Sequence, residues 1–353
     1  MYEYGNARLR ASRSRLLDRP TLESLVARRD LAHLASTLEE GAYADDFAAA
    51  RAVVGEVAQA PIEAIDLALS GHLGRTGRGI LSYFDGGARE LIEILLGGRD
   101  LHNLLAAIRG RAATAEASDV ARLYVFGGEL TEDWLGRVSR GTSAEVIRLV
   151  GDWLGDVPGL EEALPSDGAA RCELEAALVR AFYARAFGRL KGGGHAAATV
   201  RRVLGWQVDV LNLATALRIC RQVGKTRPAD PRKLFVEGGA SLHPSALDSI
   251  CRAPGVDAGA GELERTPYRE AVDEASRYLA RVDRASALER ALERVLARRA
   301  LRLYREDPLG IGVVVGYLAA QAVEVANLRL IAHGLALGLD KRDIFDQIWL
   351  PEA

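Results

Sequence analysis

The four asparagines of this 353-residue chain share one setting that could do chemistry. Each follows an acidic residue by three positions, and the pairs are Glu3 with Asn6, Asp100 with Asn103, Asp209 with Asn212, and Glu324 with Asn327. Residues three apart share one helix face, where the carboxylate can accept a hydrogen bond from the amide. We interpret the pairs as packing devices that satisfy main-chain groups where helices cross. The alternative is a ligand or metal site built from converging pairs.

The spacing of these pairs predicts an internal repeat. Successive asparagines lie 97, 109 and 115 residues apart, which indicates a helical module of about a hundred residues. A Gly-Gly pair follows the second and third asparagines, at 127–128 and 238–239, and leads into a short apolar helix each time. We therefore predict three modules, at 1–97, 98–205 and 206–353. The last includes a fourth, partial copy of the asparagine helix that closes the chain.

Hydrophobic periodicity predicts helices almost throughout the chain. The clearest amphipathic stretches are 22–38, 89–108, 173–190, 200–220 and 285–304. Strand-like alternation is confined to 123–126 and 234–236. Helix-breaking residues predict loops at 86–87, 192–194, 228–231 and 255–261. The predicted fold class is therefore all-α.

The longest uncharged segment lies near the C-terminus, at 309–323. A membrane-spanning helix needs about 20 apolar residues, and here Glu324 and Arg329 follow the uncharged run within two turns. We predict a buried core helix rather than a membrane span. Asp307 is suited to capping its first turn, and Pro308 is suited to its first helical position.

Composition and charge exclude several classes of protein. With 49% hydrophobic and 27% charged residues, the chain is typical of folded globular proteins rather than disordered ones. Its 46 basic and 48 acidic residues give a net charge of -2, which argues against nucleic acid as a main partner. Paired Cys or His ligand spacings are absent, and Gly224-Lys225-Thr226 has Ile219 where a phosphate-binding loop requires glycine. We predict no metal, no cofactor and no catalytic residue.

Several segments together resemble a known family. They are the N-terminal YGNARLR at 4–10, the DLHNL at 100–104, the TPY at 266–268, and the DPLGIG at 307–312 that leads into Glu324 and Asn327. These segments resemble the C subunit of the V-type and archaeal-type (A-type) ATP synthases, which is called the d subunit in eukaryotic V-ATPases. The resemblance spans essentially the full length of the chain.

This resemblance implies a non-catalytic socket in the rotor of such an enzyme. The fold it implies has three similar helical subdomains around a pseudo-threefold axis, which form a funnel. The funnel sits on the proteolipid ring at the cytoplasmic face of the membrane, peripheral to it, and receives the central shaft subunits D and F. The function implied is to pass torque between ATP chemistry in the soluble head and proton or sodium movement through the ring.

Two arginines are candidates for partner contact. Arg109 and Arg218 each follow an asparagine by six residues, and His333 occupies this position in the last copy. The arginine fork forms bidentate pairs with carboxylates. We predict that the helix face that carries each of these arginines looks into the funnel. Solvation, or pairing within the chain, is the alternative for both arginines. For the whole protein, the alternative function is a soluble all-α enzyme with a polar cavity lined by the acid/Asn pairs.

Overall fold

The computed structural model describes residues 2–28, 30–55, 61–164, 169–190, 192, 194–221, 230–276 and 283–350. Across these residues the regular structure is helical and contains no strand, which confirms the all-α prediction. The helices are α1 Glu3–Arg13, α2 Arg19–Arg28, α3 Leu31–Glu39, α4 Ala44–Val54, α5 Pro61–Leu81, α6 Gly86–Ala112, α7 Ala117–Ala121, α8 Glu132–Arg140, α9 Ser143–Leu154, α10 Leu160–Ala163, α11 Ala169–Arg189, α12 His195–Arg221, α13 Pro244–Arg252, α14 Val256–Leu263, α15 Arg269–Ser276, α16 Arg284–Glu306, α17 Gly312–Ala336 and α18 Lys341–Phe345. A 3₁₀ turn at Pro231–Leu234 precedes α13.

The helices form two compact units. Unit 1 contains residues 1–140 together with 301–353, and unit 2 contains residues 141–300. The division into three modules and the funnel both stay predictions.

Unit 1 brings the two ends of the chain together. Helix α17 contacts α1, α2, α3 and α5, and α18 contacts α2. The shared core is formed by fully or almost fully buried side chains, among them Leu22, Phe47, Ile65, Leu328 and Ile344. Burying each such side chain contributes about 1.5 to 3 kcal/mol, so this core fixes the C-terminal helix against the N-terminal ones.

Unit 2 is built around α12. This helix contacts α13 and α14, and its apolar face supplies Leu213 and Leu217 to a core that also contains Ile250, Tyr268 and Leu292. Gly259 lies inside α14, where an added Cβ would lie 3.1 Å from the Cys220 sulfur. The loop predicted at 255–261 is therefore wrong for 256–261, which belong to α14, and Gly259 serves close helix packing rather than a turn.

Three other local predictions need correction. The candidate strands at 123–126 and 234–236 form turn, 3₁₀ and irregular structure. The Gly-Gly pair at 86–87 lies in the first turn of α6, where Gly86 has a left-handed φ of 55°. Of the breaker cluster at 228–231, only 230–231 lie among the described residues.

The junction of α16 and α17 also differs from the prediction. Helix α16 continues to Glu306 and α17 begins at Gly312, so Pro308 lies in the exposed turn between them. Asp307 does cap α17, because its Oδ2 accepts a hydrogen bond from the Gly312 amide at 2.9 Å. A Cβ at Gly312 would lie 2.3 Å from the Leu303 carbonyl oxygen. Glycine is thus required for this tight turn.

Among the described helices, α17 alone is long and apolar enough to cross a membrane by length and composition, and 61% of its apolar window is buried inside the protein. It packs as a core helix of unit 1, as the sequence predicts.

Candidate functional site

The acid/Asn pair on α6 holds a loop. Asn103 exchanges two hydrogen bonds with the main chain of Val125: its Nδ2 donates to the carbonyl at 3.1 Å, and its Oδ1 accepts from the amide at 2.8 Å. Asp100 accepts from the amides of Glu129 and Leu130, at 2.7 and 3.1 Å. Both side chains are buried, at 1% exposure or less. We call this arrangement, in which an acid and an Asn three residues apart on one helix bind chain segments outside that helix, a loop clamp.

A second loop clamp stands on α12. Asn212 exchanges the same pair of hydrogen bonds with Val236, at 2.8 and 2.9 Å. Asp209 accepts from the Ser241 amide at 2.8 Å and from the Tyr268 hydroxyl at 2.9 Å. Both side chains are buried. The main-chain groups of an irregular loop therefore find side-chain partners in place of a neighbouring strand.

The third loop clamp joins the two ends of the chain. On α17, Asn327 exchanges hydrogen bonds with the main chain of Trp349, at 2.8 and 3.1 Å. Glu324 accepts from the Tyr43 hydroxyl at 2.6 Å and from the Leu17 amide. The amide thus binds the C-terminal segment, whereas the carboxylate binds the N-terminal one. Tyr43 donates to the acid of this clamp, as Tyr268 does to the acid of the second clamp.

Close approach explains the Gly-Gly pairs in the first two clamps. A Cβ added at Gly128 would lie 2.1 Å from Asp100 Oδ2, and one added at Gly239 would lie 2.2 Å from Asp209 Oδ1. Such distances are far inside van der Waals contact. The loop can reach the acid only where it has no side chain.

Burial dominates the electrostatics of the second and third clamps. It raises the pKa of Glu324 and of Asp209, while the hydroxyls of Tyr43 and Tyr268 respectively favour the charged carboxylate. Burial also raises the pKa of both tyrosines, and the nearby carboxylates raise it further. Each tyrosine therefore keeps its proton and acts as a hydrogen-bond donor.

The first pair is different from the other three. Glu3 is exposed, and Asn6 donates one hydrogen bond, to the Gly310 carbonyl at 3.0 Å. Arg10, one turn further along α1, donates to the Pro308 carbonyl. On α1, Asn6 and Arg10 therefore hold the turn between α16 and α17, which sets this helix apart from the three clamps.

A fourth polar group that the sequence does not reveal lies beside the third clamp. Asp46 accepts from Arg75 and lies 2.9 Å from Nδ1 of His72, whose ring is 4.1 Å from that of Tyr43, centroid to centroid. Burial opposes the charged form of Asp46, but the hydrogen bonds from His72 and Arg75 outweigh it and lower its pKa. In the sequence, Asp45 and Asp46 are only an isolated acidic pair; the signal that was missed is the His-x-x-Arg spacing on α5.

Comparison with known proteins identifies the family. The model of the ATP synthase (C/AC39) subunit family matches residues 5–347. The chain belongs to this family. The finding confirms the resemblance from which the rotor role was predicted.

Its relatives match over nearly their whole length. The C subunit of the A-type ATP synthase of Haloferax volcanii is 30% identical over 342 residues, which cover 96% of this chain and 94% of the relative. The same A-type protein of Halorubrum lacusprofundi is 28% identical over 98% of this chain and 97% of the relative. The C subunit of the V-type ATP synthase of Deinococcus radiodurans is 28% identical over 94% of this chain and 87% of the relative.

In this member of the C/AC39 family, the candidate contact arginines are exposed on α6 and α12. Arg218 forms a bidentate pair with Glu289 of α16, at 2.9 and 2.8 Å. His333, six residues after Asn327, lies 3.0 Å from a carboxylate oxygen of Asp66 on α5. The residue six positions after the Asn of the second and third clamps therefore pairs with an acid within the same unit.

The clamps are suited to holding main chain rather than to catalysis or metal binding. Across the described residues, no group of three or more His, Cys, Asp or Glu side chains is placed to hold a metal ion. The acids accept from amides and tyrosine hydroxyls, and the asparagines use both amide groups on one loop residue. What this arrangement does chemically is to satisfy loop groups that would otherwise be buried without partners.

Proposed function

We propose that the protein is a non-catalytic subunit of the central stalk of an A- or V-type ATP synthase. In this role it links the shaft subunits D and F to the membrane proteolipid ring and passes torque between ATP chemistry and proton or sodium transport. It lies peripheral to the membrane, at the cytoplasmic face.

The observation that carries this proposal is the family match from residue 5 to 347. The coverage is mutual, at 96% of this chain and 94% of the Haloferax volcanii relative. The likeness is therefore not confined to one domain that the two proteins share. A match of this extent, in a chain without a recognisable catalytic motif, suits a coupling part.

The clamps give a physical reason why this fold suits a mechanical role. Each one ties irregular segments to a long helix through a paired Asn amide and a buried acid, and hydrogen bonds to an ionised acceptor are stronger than neutral ones. Dense helical cores transmit strain with little compression. A part stiffened in this way loses little torque to internal deformation.

The enzyme alternative has weaker support. It needs acids and amides free to act on a substrate, but Asp100, Asn103, Asn327 and Glu324 bind main chain or tyrosine. Asp209 and Asn212 do line a cavity, yet they too are engaged in a clamp. We therefore favour the stalk function.

The direct test is binding to purified shaft and ring. Titration of this protein into a D–F complex, and sedimentation with proteolipid ring in detergent, are expected to give one-to-one complexes. Lack of association with both partners at tens of micromolar would contradict the proposal. Turnover of a metabolite by the isolated protein would favour the enzyme alternative.

Within this function, Arg109 and Arg218 are the proposed contacts for the shaft. The double variant Arg109→Glu, Arg218→Glu is expected to weaken shaft binding by about tenfold or more, because charge reversal places repelling acids in the interface. The matched control reverses Arg148 and Arg265, which are exposed and pair only locally, with Asp152 and Glu262. Equal shaft affinity of the double variant and the wild type would remove these contacts from the proposal.

A further inference from the structure

A large cavity in unit 2 lies beside the second clamp. It is an open cavity of about 1240 Å³ between α11, α12 and the loop that α12 clamps. Asp209 and Asn212 line it where they hold the loop, and the rings of Phe187 and Phe235 supply apolar wall. Ligand cavities typically enclose about 300 to 1000 Å³, so this one has room for a small organic molecule.

The lining of this cavity is strongly basic. Among the described residues that line it, the cationic ones are Arg180, Arg201, Arg202, Arg232 and Lys233. Its acidic residues are Asp209, which is fully buried and already accepts two hydrogen bonds, and Glu237. The chain as a whole has a net charge of -2. The excess of positive charge is therefore a local property of the cavity and not of the composition.

Two of these arginines donate to main-chain carbonyls rather than to carboxylates. Arg180 donates to the carbonyl of Lys233, and Arg201 donates to the carbonyl of Leu190 at 3.1 Å. Neither makes an ion pair with a carboxylate in the described part of the chain, whereas Arg232 is paired with Asp248. A guanidinium has five N–H donors, so both arginines retain donors for an incoming anion.

The remaining wall is apolar and aromatic. Phe187 and Phe235 are each half-buried, and Arg201 stacks 5.8 Å from the ring centroid of Phe187. A bare inorganic anion would satisfy the arginines but leave these rings in water. Covering apolar surface is worth roughly 25 cal/mol per Å², and aromatic rings favour flat partners. The lining thus combines the groups that bind phosphate with those that bind a flat ring.

We propose that this cavity binds a small phosphorylated molecule with an aromatic ring, of the nucleoside di- or triphosphate class. The arginine forks match phosphate oxygens bidentately. Arg180 and Lys233 also line an adjoining cavity of about 590 Å³, but Glu162 and Glu173 line that cavity too. The phosphates are therefore expected to stay in the larger cavity, with the ring against Phe187.

The test is calorimetric titration of the full-length protein with ADP. We expect one-to-one binding that falls about tenfold or more in Arg180→Gln, Arg201→Gln, because two bidentate charge-assisted contacts are lost. The control Arg265→Gln removes the same kind of charge from an exposed site in unit 2 that does not line the cavity, and it is expected to bind within about twofold of wild type. A second variant, Ala198→Trp, fills the cavity from an exposed lining position without changing charge, and is expected to lose binding equally.

Three results would overturn the proposal. The first is no ADP binding at millimolar concentration by a protein whose helical circular dichroism is native. The second is equal weakening by Arg265→Gln, which would assign binding to general surface charge. The third is tighter binding of tripolyphosphate or of a glutamate-rich peptide than of ADP, because the aromatic ring would then contribute nothing. If the double arginine variant fails to fold, Ala198→Trp still tests the site, and ADP binding unchanged in that variant would contradict the proposal.

Discussion

The loop clamps on α6 and α12 hold their loops through the same Asn hydrogen bonds but leave different surfaces. On α6, the clamped loop lies directly on α5, because Gly74 has no side chain and a Cβ there would lie 3.0 Å from the Phe126 carbonyl oxygen. The Arg99 side chain fills the remaining space beside Gly77. On α12, the ring of Phe187 from α11 lies under Gly238 instead, and a large cavity remains.

This difference shows that two sets of residues in each clamp region have different roles. The acid and the Asn decide where the loop is held, whereas the residues of the neighbouring helix decide whether the surface beside it is closed or open. Arg99 illustrates the closed case: burial lowers its pKa to about 10, and it donates to the Leu73 carbonyl inside unit 1. The basic residues at the corresponding surface of unit 2 line an open cavity.

The largest expected effect comes from forcing a side chain into a clamp. Gly128→Val places a Cβ 2.1 Å from Asp100 Oδ2, so it must expel the carboxylate and leave the Glu129 and Leu130 amides without partners. Overpacking and unsatisfied donors together are expected to lower the free energy of unfolding by about 4 kcal/mol. Guanidinium unfolding measures this loss. Gly239→Val is expected to produce a similar loss in unit 2 if the two clamps are equivalent.

Gly98→Ala on α6 is the matched control for Gly128→Val. Gly98 is an exposed helical glycine, and an added Cβ meets nothing within 4 Å. Alanine there is expected to raise stability by about 0.5 to 1 kcal/mol. A Gly128→Val protein as stable as wild type would show that the Asp100 contacts do not hold the loop.

Removing the Asn side-chain amide of a clamp is expected to have the next largest effect. Asn103→Ala and Asn212→Ala each leave one buried N–H and one buried carbonyl unpaired, at Val125 and Val236. At about 1 to 3 kcal/mol for each unsatisfied group, each variant is expected to lose about 3 kcal/mol. Unfolding curves for both variants make the comparison, and a loss confined to one of them would show that the clamps are not equivalent.

Asn6→Ala is the control for these two variants. Asn6 makes a single hydrogen bond, to the Gly310 carbonyl, so the expected loss is about 1 kcal/mol. A loss as large as that of Asn103→Ala would contradict the distinction between the pair on α1 and the clamps.

The sequence predicts the clamp helices well and their partners badly. The acid/Asn spacing and the Gly-Gly pairs are local patterns, and both mark real contacts on α6 and α12. The segment 123–126 also has the alternation of a strand, but its hydrogen-bonding partner at Val125 is the side chain of Asn103. No sequence period reveals that a single amide replaces a neighbouring strand.

Contacts between residues far apart in the sequence cannot be predicted from local patterns either. Glu324 finds Leu17 and Tyr43, which lie 307 and 281 residues away along the chain. Nothing in the spacing separates this pair from Glu3 and Asn6, which has the same offset but an exposed acid. Only the packing of unit 1 distinguishes them, because it buries α17 and leaves Glu3 in solvent.

A double-mutant cycle examines the open surface of the second clamp. Gly238→Ala is expected to be destabilising for two reasons: φ is 98°, which disfavours a side chain, and the Cβ would lie 2.3 Å from the Phe187 ring. In a Phe187→Ala background only the backbone strain remains. Unfolding measurements on the four proteins are therefore expected to give a coupling energy of about 1.5 kcal/mol.

The first clamp supplies the contrast for this cycle. Gly127 has φ of 116°, and its neighbours include the main-chain carbonyl of Gly74 at 3.0 Å. No side-chain truncation on α5 can relieve that contact, so Gly127→Ala is expected to keep its full cost in any α5 background. Additive effects of Gly238→Ala and Phe187→Ala would show that Phe187 does not support the loop.

The smallest expected effect is a pH dependence particular to the second clamp. Burial raises the pKa of Asp209 above its ordinary value, so the folded state holds this proton more tightly than the unfolded state. The resulting stability is fully present below the unfolded pKa, at about 3.9, and is lost as pH rises through the folded pKa. Asp209→Asn removes this titration, and its Oδ1 can still accept from Ser241 and Tyr268. The difference in unfolding free energy between wild type and Asp209→Asn, measured from about pH 4 to 7, is therefore expected to shift against the wild type as pH rises. An unchanged difference over that range would show that the hydrogen bonds from Ser241 and Tyr268 fully offset the burial of the carboxylate.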